Sequence, residues 1–187
     1  MFLIMKWGTD LNNFKLINSK EIYKGRIIDL RVDEIQYENG TIGYREVASH
    51  PGGAAVVAVK DGKIILVTQY RYPLKKTIYE LPAGKLDHLE DPAECAKREM
   101  EEETGYKSDN FIKLGEIVST PGFCNERLYL FLALDLKLGK KNHEEGEYGM
   151  ETHFFTLGEI EEKIFSGEII DAKTICAVYF AKKYLVK

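Results

Sequence analysis

The chain has 187 residues, of which 44% are hydrophobic and 30% charged, a composition that supports one substantial globular core and excludes collagenous, mucin-like and largely disordered classes. Its 26 Lys and Arg against 30 Asp and Glu give a net charge of −4, which argues against a nucleic-acid partner held on a broad basic surface. A small anionic substrate stays compatible with that charge, because divalent cations held by acidic groups invert the local field.

At the N-terminus, Phe2 to Met5 is too short for a secretory signal and is interrupted by Lys6 and Trp7. The longest apolar runs, Ile64 to Val67 and Leu128 to Leu134, fall far short of the roughly 20 residues that cross a bilayer. Cys95, Cys124 and Cys176 lack CxxC spacing and are odd in number, so they suggest reduced bystanders. The expectation is a cytoplasmic protein with no membrane partner.

Residues 1–47 read as a strand-rich extension. Ile27 to Tyr37 and Thr41 to Val47 are two strand-forming runs, and Asn39-Gly40 between them suggests a type I′ hairpin with two positive φ angles. The first 18 residues carry no clear signal. His50-Pro51-Gly52-Gly53 breaks the pattern, and residues 48–187 read as the main domain. Ala54 to Val59 and Lys63 to Tyr70, separated by Asp61-Gly62, are apolar enough to be covered on both faces.

A helix is expected from Asp91 to Thr104: Asp91 caps it, Pro92 suits its first position, Glu94 falls three residues past the cap and Gly105 ends it. Strands are expected at Lys113 to Ser119, Leu128 to Leu136 and His153 to Thr156. Two helices follow, one from Thr156 with Glu159 completing a capping box, the other from about Ala172 to Leu185. Strands mixed with three helices indicate an α/β sandwich.

Ala93, Ala96 and Met100 mark the buried face of the Asp91 helix, and Glu99, Glu102 and Glu103 crowd one arc beside it. Their place in the C-terminal half is electrostatically poor, since the helix dipole disfavours each exposed carboxylate there by roughly 0.3–1 kcal/mol. Two readings compete. One is a solvated acidic face softened by Arg98; the other is a magnesium or manganese site, because hard cations prefer clustered oxygen ligands. The upstream segment Glu80-Leu81-Pro82-Ala83-Gly84 favours the second, since an irregular turn there exposes a backbone carbonyl such as that of Ala83 as a further ligand.

Gly84, Glu90, Arg98-Glu99-Met100, Glu102-Glu103 and Gly105-Tyr106 match the Nudix box, G-x5-E-x7-R-E-U-x-E-E-x-G-U, at every position. Seven fixed residues, each with a chance of about one in ten, make an accidental match very improbable. The chain thus resembles the Nudix hydrolases. The resemblance implies an α/β fold, a Nudix α/β/α sandwich with a mixed sheet, preceded by an N-terminal antiparallel β extension. It also implies metal-dependent hydrolysis of a nucleoside diphosphate linked to another moiety. By position, Glu99 and Glu103 would be the principal metal ligands, Glu102 and the Ala83 carbonyl would complete the set, and Glu90 and Arg98 would brace loop and helix. Magnesium is the implied cofactor, with manganese as a substitute.

His50 to Ala54, Gln69-Tyr70-Arg71, Glu80 to Gly84, and Pro121 fifteen residues beyond Tyr106 resemble the ADP-ribose pyrophosphatase branch. That branch implies ADP-ribose as substrate, with AMP and ribose 5-phosphate as products. ADP-glucose and GDP-mannose hydrolases share these segments, and a non-catalytic ADP-ribose-binding module is a third reading. Arg71 suits a diphosphate through bidentate hydrogen bonds or, alternatively, is a solvent-facing strand end. Tyr44, Arg45 and Glu46 fall where the branch contacts the nucleoside, although Tyr44 could equally pack within the extension. The extension resembles strands that the branch exchanges across a homodimer. Lys140 to Glu151 corresponds to the branch's acidic loop, in which Glu147 is the first choice for general base, with Glu145 and Glu151 as alternatives.

Overall fold

A computed structural model describes residues 13–142 and 149–186 of the chain. It falls into two compact units, one comprising the part up to His50 together with Gly122–Asn125, the other Pro51–Pro121 and Glu126–Lys187.

The first unit is a three-stranded antiparallel sheet of β1 (Phe14–Lys24), β2 (Asp29–Tyr37) and β3 (Ile42–Ser49), in the order β1-β2-β3. The strand at residues 14–24 lacks a periodic apolar pattern, and all its residues are exposed. The turn from β2 to β3 differs from the expected type I′. Gly40 has φ +84 but Asn39 is not left-handed. Gly40 N–H donates to Tyr37 O and Tyr37 N–H donates to Thr41 O, both at 2.9 Å. The physical reason is local: Asn39 Oδ1 accepts from Thr41 N at 3.0 Å, so its side chain closes the turn and only glycine needs the left-handed conformation. The segment 122–125 also joins this unit, with Ala48 N–H donating to Phe123 O at 2.7 Å.

The second unit is built on a seven-stranded mixed sheet. Its main order is β12 (Glu151–Phe155), β5 (Lys63–Arg71), β4 (Gly53–Lys60), β10 (Arg127–Leu134), β9 (Asn110–Val118), while β6 (Lys76–Glu80) pairs with β5 and β7 (Ala83–Lys85) pairs with β4. Strands β4 and β10 are parallel, and β5 runs antiparallel to β4. The β4–β5 hairpin turns through Asp61 (φ 51) and Gly62 (φ 76), so here both central residues adopt the left-handed angles of a type I′ turn. A short β8 (Tyr106–Lys107) pairs with β11 (Lys137–Leu138).

Alternation along these strands produces two cores. Ala54, Val56, Ala58, Ile65, Phe131 and Ala133 pack against Cys95, Ala96 and Met100 of α1 (Pro92–Thr104). Ala55, Val57, Ile64, Leu66, Leu130 and Leu132 pack on the opposite side against Ile160 of α2 (Leu157–Phe165) and Ala177, Val178 and Ala181 of α3 (Ala172–Leu185). This is the expected α/β/α sandwich, with near-continuous apolar strands because both sheet faces are covered. Among the described residues no helix is long and apolar enough to cross a membrane.

The helix ends follow from their sequences. Asp91 Oδ1 accepts from Ala93 N at 2.8 Å and Glu94 N at 3.4 Å, Pro92 fills the first turn, and Gly105 (φ +76) closes α1 on Glu101 O. Thr156 and Glu159 form the capping box of α2, and Asp171 caps α3.

Candidate active site

The site is laid out where β7 meets α1. Instead of an irregular turn after Pro82, the chain makes a short strand: Pro82 O accepts from Val56 N at 3.0 Å, and Ala83 and Gly84 stand opposite Ala55 and Ala54 of β4. An edge of the sheet was available there, and pairing satisfied backbone groups that a free loop would leave to solvent. Gly84 is needed for close approach, not for a left-handed turn, because a Cβ there would lie 1.9 Å from the Glu99 carboxyl. The strand backbone and the helix carboxylate are thereby brought into direct contact.

Glu99 is 7% and Glu103 3% exposed, which excludes a solvated acidic face. Removing a carboxylate from water costs several kcal/mol, far more than the few tenths at stake in a dipole or surface-pair argument, so each must be compensated. Glu103 Oε2 accepts from Ala83 N at 3.1 Å. Glu99 Oε1 accepts from Arg98 Nη1 at 2.8 Å, and Glu102 Oε2 from the same nitrogen at 3.3 Å.

Arg98 carries much of this balance. Its Nε and Nη2 each lie 3.0 Å from the two Glu90 oxygens, a bidentate pair. Glu90 Oε2 also accepts from Asp87 N at 2.9 Å. Together they hold the Glu90 carboxyl down to about 2, chiefly through the Arg98 hydrogen bonds. Burial pushes the neighbouring Cys95 thiol up to about 12, leaving it an inert packing group. One guanidinium is thus shared by three carboxylates, Glu90, Glu99 and Glu102.

A cleft of about 160 Å³ opens beside them, lined among others by Arg71, Ala83, Gly84, Arg98, Glu99 and Glu103. Arg71, at the end of β5, donates from Nε and Nη2 to Glu80 Oε1 and Oε2 at 2.5 and 2.6 Å. Glu80 is 2% exposed and also accepts from Lys173 Nζ. Burial alone would raise the Glu80 carboxyl, but Arg71 and Lys173 outweigh it and keep the group below its ordinary range.

Of the residues singled out in the sequence, the structure thus brings Arg71, Ala83, Glu99 and Glu103 to one cleft, with Glu102 beside it through Arg98. Tyr44, Arg45 and Glu46 lie on β3 in the first unit. Tyr44 is 63% exposed, and Arg45 Nη2 donates to Tyr37 Oη at 2.5 Å. Glu151 begins β12 opposite Thr68. Glu145 and Glu147 lie outside the described residues. Glu80 and Lys173 received no role from the sequence. Glu80 had a signal, an acid inside an otherwise apolar run ahead of Pro82, whereas Lys173 had none, being 93 positions away from its partner.

The donor chemistry fits divalent cations. Glu99 and Glu103 are hard oxygen donors, nearly buried beside an open cleft, and donors of this kind suit hard divalent cations. Among the described residues, no three His, Cys, Asp or Glu side chains are already gathered as a metal cage; the carboxylates are held by Arg98 and the Ala83 N–H instead.

Residues 49–177 match the NUDIX domain, and residues 14–48 match the nucleoside diphosphate sugar hydrolase N-terminal domain. The chain is a Nudix hydrolase. It is 41% identical over 169 residues to an ADP-ribose pyrophosphatase of Bacillus subtilis (strain 168), covering 89% of this chain and 91% of that protein. It is 40% identical over 169 residues to a methanol dehydrogenase activator of Bacillus methanolicus, with the same coverage. The fold superposes on a crystal structure of an ADP compounds hydrolase with a TM-score of 0.83, covering 95% of this chain and 97% of the other at 17% identity. Nudix hydrolases use divalent metal ions, in keeping with the donor set found here.

The depressed Glu90 carboxyl makes a pH-dependent contribution to stability. A group held below its ordinary 4.5 stabilises the fold fully above that pH and loses the contribution as pH falls toward the folded value. Urea unfolding of the wild type and Glu90→Gln should therefore show the largest gap at neutral pH, narrowing steadily below about 4.5 and closing near 2. A gap independent of pH would show that the Arg98–Glu90 pair does not act through ionisation.

Proposed function

We propose that this Nudix hydrolase cleaves the diphosphate linkage of ADP-ribose to give AMP and ribose 5-phosphate, using magnesium, for which manganese can substitute. The observation that carries the reading is the pairing of two nearly buried carboxylates, Glu99 and Glu103, with the guanidinium of Arg71 around one cleft. Acids alone would repel a diphosphate; acids loaded with cations, beside an arginine, attract it. The similarity to the Bacillus subtilis ADP-ribose pyrophosphatase supports this choice of nucleotide.

Glu99 and Glu103 would hold the cations, with Glu102 and the Ala83 carbonyl completing the set. When bound, divalent cations neutralise phosphoryl charge and acidify a water ligand. This chain's own groups do the rest. Arg71 orients the diphosphate, Arg98 and Glu90 keep the loop against α1, and Gly84 lets the Glu99 carboxylate reach the backbone. Glu147, by its spacing, takes the proton from the attacking water, with Glu145 and Glu151 as alternatives. Tyr44, Arg45 and Glu46 are assigned to the nucleoside, and the exposed Tyr44 ring supports stacking on a base.

The boundary near residue 47 and a homodimer that exchanges the extension belong to the same proposal. Its support is the exposure of Phe14, Leu16, Ile17, Ile22 and Tyr23 along one strand, an apolar edge that a solitary sheet is poorly able to leave bare. Three free cysteines agree with a reducing cytoplasm.

Three measurements test these readings. Incubation with magnesium and, in turn, ADP-ribose, ADP-glucose, GDP-mannose, NADH and dGTP should show fastest turnover of ADP-ribose; rapid GDP-mannose cleavage beside a negligible ADP-ribose rate contradicts it, and binding without AMP release favours a sensor. The assay also addresses the nearly equal similarity to a protein of a different name. Glu103→Gln keeps an acceptor for the Ala83 N–H but loses the charge, so it should fold normally and lose at least about a hundredfold in kcat. Glu101→Gln, which retains an acceptor for Lys140 N at 3.0 Å, should change little, and equal losses would refute the placement of the metal arc. Sedimentation velocity should return about twice the 21.4 kDa chain mass; a monomer at all concentrations excludes the exchanged dimer.

A further inference from the structure

A largely buried charge network outside the metal arc lies behind Arg71, where the first turn of α3 meets the end of β6. Glu80 presents both carboxylate oxygens to the Nε–Nη2 fork of Arg71. Its Oε2 also accepts from Lys173 Nζ, whose side chain is only 11% exposed. Lys173 lies 3.0 Å from Asp171, which caps α3. The fully buried Thr174 donates to Asp171 Oδ2 at 2.6 Å and accepts from Leu81 N at 2.8 Å. One helical turn therefore grips both Glu80 and the residue after it, at the start of the segment that leads to Ala83 and Gly84.

This arrangement is more than packing requires. Holding Glu80, Lys173 and Asp171 largely out of water costs more than burying apolar side chains of the same volume, so the network is a poor device for stability alone. Its one exit to the cleft is Arg71. Arg71 and Lys173 balance Glu80 and Asp171, leaving the cluster neutral. Without Lys173 it would carry one net negative charge directly behind the group that meets an anionic substrate. Glu80 would also lose the contact that fixes its carboxylate plane, and would draw the Arg71 guanidinium back from the cleft.

We propose that Lys173, acting through Glu80, is a positioning residue for Arg71, so that the first turn of α3 sets the affinity of the site for the substrate diphosphate. This rests on the reading that Arg71 binds that diphosphate, and the experiment separates the two. Steady-state kinetics with ADP-ribose and magnesium are measured on the full chain for Lys173→Met, Arg71→Ala and the double variant. Lys173→Met should raise KM roughly fivefold or more with kcat held within about twofold, and should add nothing in the Arg71→Ala background, the signature of two residues in one chain of contacts. If Arg71→Ala leaves KM unchanged, the diphosphate reading of Arg71 fails and this proposal falls with it. If Arg71→Ala raises KM while Lys173→Met does not, acts only on kcat, or acts equally in both backgrounds, the relay is overturned and the Arg71 reading stands. Should Lys173→Met fail to fold, Glu80→Gln carries the test: it releases the Arg71 fork from its ionic anchor while Lys173 keeps Asp171, and KM must again rise only when Arg71 is present.

Discussion

Two carboxylates held almost wholly out of water on the last turns of one helix are the constraint around which the second unit is arranged. Glu99 and Glu103 sit at the wrong end of the helix dipole and are desolvated as well, and both effects oppose them. The sheet supplies part of the compensation. Strand β7 brings the Ala83 N–H to Glu103, and the missing side chain of Gly84 opens space for Glu99. Arg98 supplies another part while already committed to Glu90. These contacts leave several carboxylates gathered at one cleft, a donor set suited to a divalent cation. Such an arrangement opposes folding, and groups kept against that cost are a common sign of a site.

The rest of the architecture serves the register of helix against strand. Alternation along β4 sends Ala54, Val56 and Ala58 to α1 and Ala55 and Val57 to α3. The small alanines let both helices approach the same strand. Helix α1 is thereby fixed against β4 and β7, and α3 against the β6 end that carries Glu80. Acid groups on one side of the sheet and the arginine anchored from the other converge on one cleft because a single layer of strands separates them.

Much of this was legible in the sequence, and the parts that were share a physical character. Asp91, Pro92 and Gly105 set the limits of α1 through local geometry, as Thr156 and Glu159 did for α2, and the apolar runs around Asp61-Gly62 displayed a strand pair covered on both sides. Such signals act over a few residues. The spacing of Gly84, Glu90, Arg98, Glu99, Glu102 and Glu103 resembled the Nudix pattern, and the structure gathers Glu99 and Glu103 with Ala83 and Arg71. Less legible was anything decided by a distant partner. The grip of Lys173 on Glu80 spans 93 positions, and the pairing of β7 with β4 turned a supposed irregular bend into a strand. Asn39 looked like half of a type I′ turn until its side chain bonded Thr41 N. Gly84 lies in a segment whose sequence suggests an irregular turn, whereas the reason for a glycine there is the Glu99 carboxyl, a tertiary neighbour fifteen residues on.

Whether the desolvated acids of α1 hold cations against a diphosphate is decided by where a bound cation sits. Anomalous diffraction from crystals soaked in manganese with a non-hydrolysable methylene analogue of ADP-ribose tests it most directly. The expected result is a manganese peak coordinated by Glu99 and Glu103 and touching the analogue's phosphonate oxygens. Manganese elsewhere, with Glu99 still on Arg98 and Glu103 still on the Ala83 N–H, would contradict it.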